Sequence, residues 1–210
     1  MNLDLTQLAA LAAGLGWASG LRLYLVVFLT GLAGWLGWVD LPSGLRILES
    51  PWLLGASGVM LVVEFFADKI PGLDTAWDAV HTFIRIPAGA ALAAAAFGGE
   101  PAQWVTAAAL LGGTLAATSH VAKATTRAAA NTSPEPFSNV ALSLLGDGFV
   151  PLALWLSWAH PLAFFAVLAV GVVAMVATVV VLWRFLRGIF ARLRGGASAP
   201  APTPRIGVQR

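Results

Sequence analysis

Six long apolar stretches, separated by short polar or Gly/Pro-rich breaks, set the pattern of this chain. The stretches run over about residues 5–38, 52–67, 75–97, 102–122, 137–158 and 161–186. The breaks fall near residues 40–51, 68–73, 98–101, 123–136 and 159–161. At ~1.5 Å of rise per residue, most of these stretches match a hydrocarbon core about 30 Å thick. The pattern predicts an all-α membrane protein with about six transmembrane helices. The first stretch is too long for one straight crossing, since its 34 residues would rise about 51 Å. It also carries Gly14, Gly16, Ser19 and Gly20 just before Arg22, so a broken or re-entrant entry is expected.

Composition agrees. The chain is 59% hydrophobic and only 10% charged, as multi-span membrane proteins are. Its 210 residues leave no room for a soluble domain beside six spans. Residues 1–194 are expected to form a single polytopic domain, and residues 195–210, rich in Gly, Ala, Pro and Ser, a disordered cytoplasmic tail. Residues 1–7 hold Asp4 and no basic side chain, unlike the n-region of a cleaved signal, so the first apolar segment is expected to be retained. With no cysteine there is no disulfide framework and no thiolate metal site.

The basic residues at the C-terminal end, Arg184, Arg187, Arg192, Arg194, Arg205 and Arg210, follow a span directly. That placement suits an anionic cytoplasmic leaflet and membrane lipids as partners; no second basic surface suggests nucleic acid. The positive-inside rule then predicts a cell (inner) membrane protein with both termini cytoplasmic. Inner loops would carry Lys69, Lys123 and Arg127, and outer loops Arg46 beside Asp40, Glu49 and Glu100. Of the nine tryptophans, Trp35, Trp38, Trp52, Trp104, Trp155, Trp158 and Trp183 fall at or near predicted span ends, as interfacial anchors do.

The candidate chemistry is concentrated. Glu64, Asp68, Lys69, Asp74, Asp78 and Arg85, with His81, fall within residues 64–85. Asp74, Asp78, His81 and Arg85 are spaced four, three and four apart, one stripe of a helix for which Asp74 would be the N-cap. His120, Lys123, Arg127 and Asn131 make a second stripe at spacings of three, four and four. The short break at residues 98–101 predicts that these two helices pack as an antiparallel hairpin, stripe facing stripe across small residues. Asp147 and Arg22 lie deeper within their segments.

Charge is costly in lipid, about 2.5–3.5 kcal/mol per residue at a helix centre even on lenient scales, so such residues usually face a protein interior or a pathway. The plainer reading is ordinary pairing: Asp68, Lys69, Asp74 and Glu135 neutralising neighbours at the membrane edge, where pairs are worth at most about 1 kcal/mol. An Arg22–Glu64 or Arg22–Asp147 pair is either a structural lock or part of an ion pathway. The two histidines read first as satisfied polar residues. The acids could also hold a divalent cation, with Lys123 and Arg127 gripping a phosphate, though no spacing is a specific enzyme signature.

A faint internal repeat lays Ala18-Ser19-Gly20-Leu21-Arg22 on Ala117-Thr118-Ser119-His120-Val121, Ser50-Pro51 on Ser133-Pro134, Glu64 on Asp147 and Phe66 on Phe149. Read as 3+3 spans it would be an inverted repeat of the kind many transporters have.

Several stretches together resemble a known membrane family. They are residues 18–22, Glu64-Phe65-Phe66-Ala67-Asp68-Lys69-Ile70-Pro71-Gly72-Leu73-Asp74, Ser119-His120-Val121-Ala122-Lys123-Ala124-Thr125-Thr126-Arg127 and residues 131–139, followed by Asp147. Over about residues 8 to 160 the chain is similar to domain of unknown function 4126. The resemblance implies a small polytopic membrane protein and brings no substrate, cofactor or catalytic role. From the residues themselves, a transporter or channel for a small solute or ion is the first expectation. Its pathway candidates are Arg22, Glu64, Asp68, Asp74, Asp78, His81, Arg85, His120, Lys123, Arg127, Asn131 and Asp147. The alternatives are a metal-dependent enzyme acting on a lipid phosphate, or a non-catalytic scaffold; assembly as a homo-oligomer is open.

Overall fold

The computed structural model describes residues 3–70, 72–132 and 137–195. The expectations for Ser133, Pro134, Glu135 and the tail beyond Gly195 lie outside the described residues. Among the described residues the fold is all-helical: α1 (Leu5–Trp35), α2 (Pro51–Ala67), α3 (Leu73–Ala96), α4 (Ala102–Ala130), α5 (Phe137–Ala159) and α6 (Pro161–Gly195), with a 3-10 helix at Ser43–Glu49. Five helices are long and apolar enough to cross a membrane, and the 3-10 helix with α2, bent by 69°, makes a sixth candidate span.

Helix starts follow local chemistry. Asp4 caps α1 through a reciprocal box with Gln7, each accepting from the other's backbone N–H at 2.8 and 3.0 Å. Ser50 caps α2, with Pro51 at the first helical position. Asp74 is not the N-cap of α3 as expected. Gly72, at φ +86°, holds that position, and Asp74 sits inside the first turn, accepting from the N–H groups of Gly72 and Thr75. The break expected from residue 123 is also displaced: α4 runs on to Ala130, because Lys123 and Arg127 find carboxylate partners and need not leave the helix.

Arg22, at φ −146° and ψ 78°, breaks α1 into two arms. Leu11 of the first arm and Leu29, Thr30 and Ala33 of the second line one cavity of about 450 Å³. In a straight helix Leu11 and Ala33 would be ~33 Å apart, so α1 doubles back at Arg22. Leu3 and Leu8 lie beside Asp40–Ser43 and Gly99–Glu100, which places the start of α1 on the same face as its end. The first segment is thus re-entrant and leaves the chain on the face it began on. This removes the parity argument that put both termini on one side. The arrangement also works against the inverted repeat. Gly16 faces Gly112 and Gly20 faces Ser119, so the first arm of α1 runs parallel to α4, whereas the matched segments of an inverted repeat would run oppositely.

The first arm of α1 is the core of the bundle, with Leu11, Leu15, Trp17 and Ala18 buried. Small residues allow this. A Cβ on Gly16 would lie 2.5 Å from Gly112 Cα, and one on Gly112 would lie 2.7 Å from Gly89 O, so α1, α3 and α4 meet backbone to backbone. The expected α3–α4 hairpin is present. The outer helices leave apolar side chains exposed all along them, Phe83, Leu110, Val170 and Val181 among them, a surface suited to lipid. Trp35, Trp38, Trp52, Trp104, Trp155 and Trp183 are likewise exposed, while Trp17 is buried and donates to Met175 Sδ at 3.2 Å.

Candidate functional site

The break in α1 places Arg22 where the ends of α2, α3, α4 and α5 converge. A break inside a membrane helix strips backbone carbonyls of their partners, which lipid cannot satisfy. Here α4 supplies donors: Ser119 Oγ donates to Trp17 O at 2.7 Å and Lys123 Nζ to Leu21 O at 3.0 Å. Gly20 makes the approach feasible, since any side chain there would overlap Ser119 and Ala116 O.

From Arg22 a single ion-pair network extends through the site. Arg22 pairs with Asp68, and its Nη2 lies 2.9 Å from Asp147 while donating to Ser143 Oγ at 2.7 Å. Asp68 also accepts from Lys123 at 3.0 Å and Arg127 at 2.6 Å. Both cations reach Asp78, at 3.3 and 3.5 Å. Asp78 takes Arg85 Nη1 at 2.7 Å, and Arg85 Nη2 donates to Glu64 at 2.6 Å. Lys69 closes the far end, 3.6 Å from Asp147 and with its ammonium 3.0 Å from the centre of the Phe65 ring. Among the described residues four carboxylates and five cations are linked in this way. Except for Asp147 and Lys69, their side chains are nearly or fully buried.

Asp68 is the hub, fully buried among three cations and not one half of an exposed pair. It follows the last turn of α2, one turn below Glu64, and meets three cations from α1 and α4. Burial pushes its carboxyl up, but Lys123, Arg127 and Arg22 outweigh that and hold it well below the usual carboxylate range. The expected Arg22–Glu64 carboxylate pair is absent. Arg22 reaches only the Glu64 carbonyl, at 3.5 Å, because Arg85 lies closer to the Glu64 side chain. The Arg22–Asp147 pair is present. Asp74 does not neutralise Lys123 or Arg127; it sits at the start of α3 and accepts from Asn131 Nδ2 at 3.2 Å.

The histidines are held by hydrogen bonds. Arg85 donates to His120 Nδ1 at 3.3 Å, so Nε2–H donates to Thr82 Oγ1 at 2.7 Å. His81 donates through Nδ1 to Trp77 O at 2.8 Å and accepts from Tyr24 at 3.1 Å. These roles assign both as neutral imidazoles by network logic. Among the described residues no three His, Asp or Glu side chains form a group that could hold a metal ion; Glu64, Asp68, Asp78 and Asp147 are each turned toward cations. Four buried side-chain atoms remain without a hydrogen-bond partner among the described residues: Glu64 Oε2, Trp77 Nε1, Arg85 Nε and Asp147 Oδ2.

All twelve residues singled out from sequence therefore lie on or beside one cluster. Ser143, Thr82 and Tyr24 were missed. Tyr24 is the chain's single tyrosine, two positions past Arg22, and Ser143 is one turn before Asp147; both spacings were readable.

The network borders a cavity of about 760 Å³ between α1, α4, α5 and α6. Arg22, Lys123, Arg127 and Ser143 line one end, and Phe149, Val167, Val170 and Met175 are among its apolar walls.

The model of the family described as "Domain of unknown function (DUF4126)" matches residues 9–184, which takes in every helix that builds the site. The chain belongs to this family. No curated protein and no solved structure matches it. The match extends past the stretch over which the motifs carried the resemblance, into α6, which walls the cavity of this DUF4126 protein.

Proposed function

We propose that this DUF4126 protein is a transporter or channel for a small solute or ion, with the ion-pair network as its working part. One observation carries the reading: Arg22 sits at a helix break within the membrane domain, bridges carboxylates from two other helices, and lines a large cavity. Broken helices at membrane depth are tolerated where they line a cavity, and secondary transporters place their binding sites at such breaks. The network has partners to exchange. Arg22 holds Asp68 and Asp147 at once, and among the described residues the buried Glu64 Oε2 and Arg85 Nε have no hydrogen-bond partner, a costly arrangement that a bound ion or a switch of partners would relieve.

In this reading the face bearing Lys69, Lys123, Arg127 and the arginines of α6 is cytoplasmic, in the cell membrane. The start of α1, beside Asp40 and Glu100, then lies outside, opposite the C-terminal end of α6. The test is charge movement in proteoliposomes on a solid-supported membrane, with concentration jumps of H⁺, Na⁺, K⁺, chloride and phosphate. A current above that of protein-free vesicles, lost in Asp147→Asn, supports transport. Currents equal to those of empty vesicles for every ion would remove the ion-pathway reading.

A further inference from the structure

We propose that the cavity between α1, α4, α5 and α6 is a binding site for an anionic lipid with a phosphate headgroup. The inference names a substrate class for the transport reading; binding itself stands apart from that reading, and only movement of the bound lipid rests on it. Three cations, Arg22, Lys123 and Arg127, line the cavity, and no acidic side chain among the described residues does. The carboxylates that pair with them sit behind. Lys123 spends its ammonium on Asp68, Asp78 and Leu21 O, but among the described residues Arg127 reaches carboxylates through Nη1 alone. Among the described residues the network holds one more cation than carboxylate. An uncompensated buried positive charge is costly, so an anion entering the cavity completes the site. Phosphate suits a guanidinium whose other edge meets no carboxylate among the described residues.

The rest of the cavity has the shape and chemistry of an acyl chain. Its wall on α6 runs from Ala166 to Thr178, ~18 Å along the helix axis. Val167 and Val170 are exposed on the lipid-facing side, so the cavity is entered from the bilayer. Arg127 stands three residues, ~5 Å, before the end of α4, a level suited to a headgroup rather than to the bilayer centre. A free inorganic anion would use only the cationic end and leave the apolar length of the cavity without an occupant.

The test is native mass spectrometry of the full chain in a neutral detergent, titrated with dodecyl phosphate, dodecyltrimethylammonium or inorganic phosphate. The site predicts one dodecyl phosphate per chain, bound at least tenfold more tightly than the cationic amphiphile and not displaced by an equal concentration of inorganic phosphate. Arg127→Gln should lower the affinity tenfold or more. Val170→Trp, on the exposed wall and away from the ion pairs, should block occupancy in a folded protein. Equal binding of both amphiphiles, full displacement by inorganic phosphate, or unchanged binding in Val170→Trp would overturn the proposal. So would a wild-type dimer that Val170→Trp dissociates, since a second copy would then be the occupant. Binding without any flux leaves this site standing and overturns the transport reading; flux without probe binding does the reverse.

Discussion

Neutralising Asp68 tests the idea that one carboxylate organises the site. Asp68→Asn keeps the shape of the side chain and removes its charge while Arg22, Lys123 and Arg127 stay in place. Its side chain is fully buried and faces all three, at 3.0 Å for Lys123 and 2.6 Å for Arg127. Removing one partner of a buried ion pair costs about 3–5 kcal/mol, because the remaining charge is left uncompensated. Asparagine still offers an acceptor oxygen, which places the expected loss at the lower end, about 3 kcal/mol. That is over a hundredfold in the folding equilibrium, at about 1.4 kcal/mol per factor of ten. Reversible unfolding in mixed micelles, followed by helical circular dichroism, measures it. The cycle with Arg127→Gln should recover a coupling of about 1 kcal/mol or more, since the double variant removes the orphaned cation too. An Asp68→Asn protein within about 0.5 kcal/mol of wild type would refute the hub assignment. The pH dependence has a definite sign. A carboxyl held below its unfolded value stabilises in full above that value, about 3.9, and loses the contribution as pH falls through its folded value. The Asp68→Asn deficit should therefore be flat from pH 8 to pH 5 and shrink only in stronger acid; a deficit that fades between pH 7 and 5 would contradict the assignment.

Gly112→Leu should destabilise the bundle by about 1–3 kcal/mol or prevent folding, since its Cβ meets Ala93 and lies 2.7 Å from Gly89 O. Gly148→Ala, with open space around the new Cβ, should stay within about 0.5 kcal/mol of wild type or gain slightly; equal effects at the two sites in the same unfolding assay would refute the close α3–α4 contact. Because the chain has no cysteine, single-cysteine variants report sidedness directly. Asp4→Cys and Glu100→Cys should react with an impermeant maleimide from the same side of the membrane, and Arg187→Cys from the other. Opposite labelling of the first two would refute the re-entrant α1.

Much of this fold was legible because lipid imposes one period and one length. α2, α3 and α5 needed only small boundary changes, and the stripes on α3 and α4 met as helical spacing required. What escaped detection depends on tertiary partners. The extension of α4 to Ala130 rests on Asp68 and Asp78, which lie far away in sequence. The 3-10 helix at Ser43–Glu49 is held by burial of Leu45 and Leu48 and by contact of Gly44 with Ala95, none of which a polar, Pro-containing loop advertises. The length of the first segment and its glycines indicated a break, but not that the arms would fold back on each other. In the site, spacing identified the residues and not their pairing. Glu64 and Asp68 share one helix face, and only the relative heights of Arg85 and Arg22 decide which acid each arginine takes.

The central claim is that the network works as a pathway and is more than a lock, and Asp147→Asn separates the two most directly. Asp147 is the least buried of the network's carboxylates, with 21% of its side chain exposed, and its partner Arg22 keeps Asp68 and Ser143 when it is neutralised. Its loss should therefore cost the fold little while removing one of the two states between which Arg22 would exchange. Flux in proteoliposomes and unfolding in micelles are measured on the same preparation. The account predicts stability within about 1 kcal/mol of wild type, as for a partly exposed pair, and flux reduced to that of protein-free vesicles. A destabilised protein whose folded fraction carries wild-type flux would contradict it and leave the network as structural pairing.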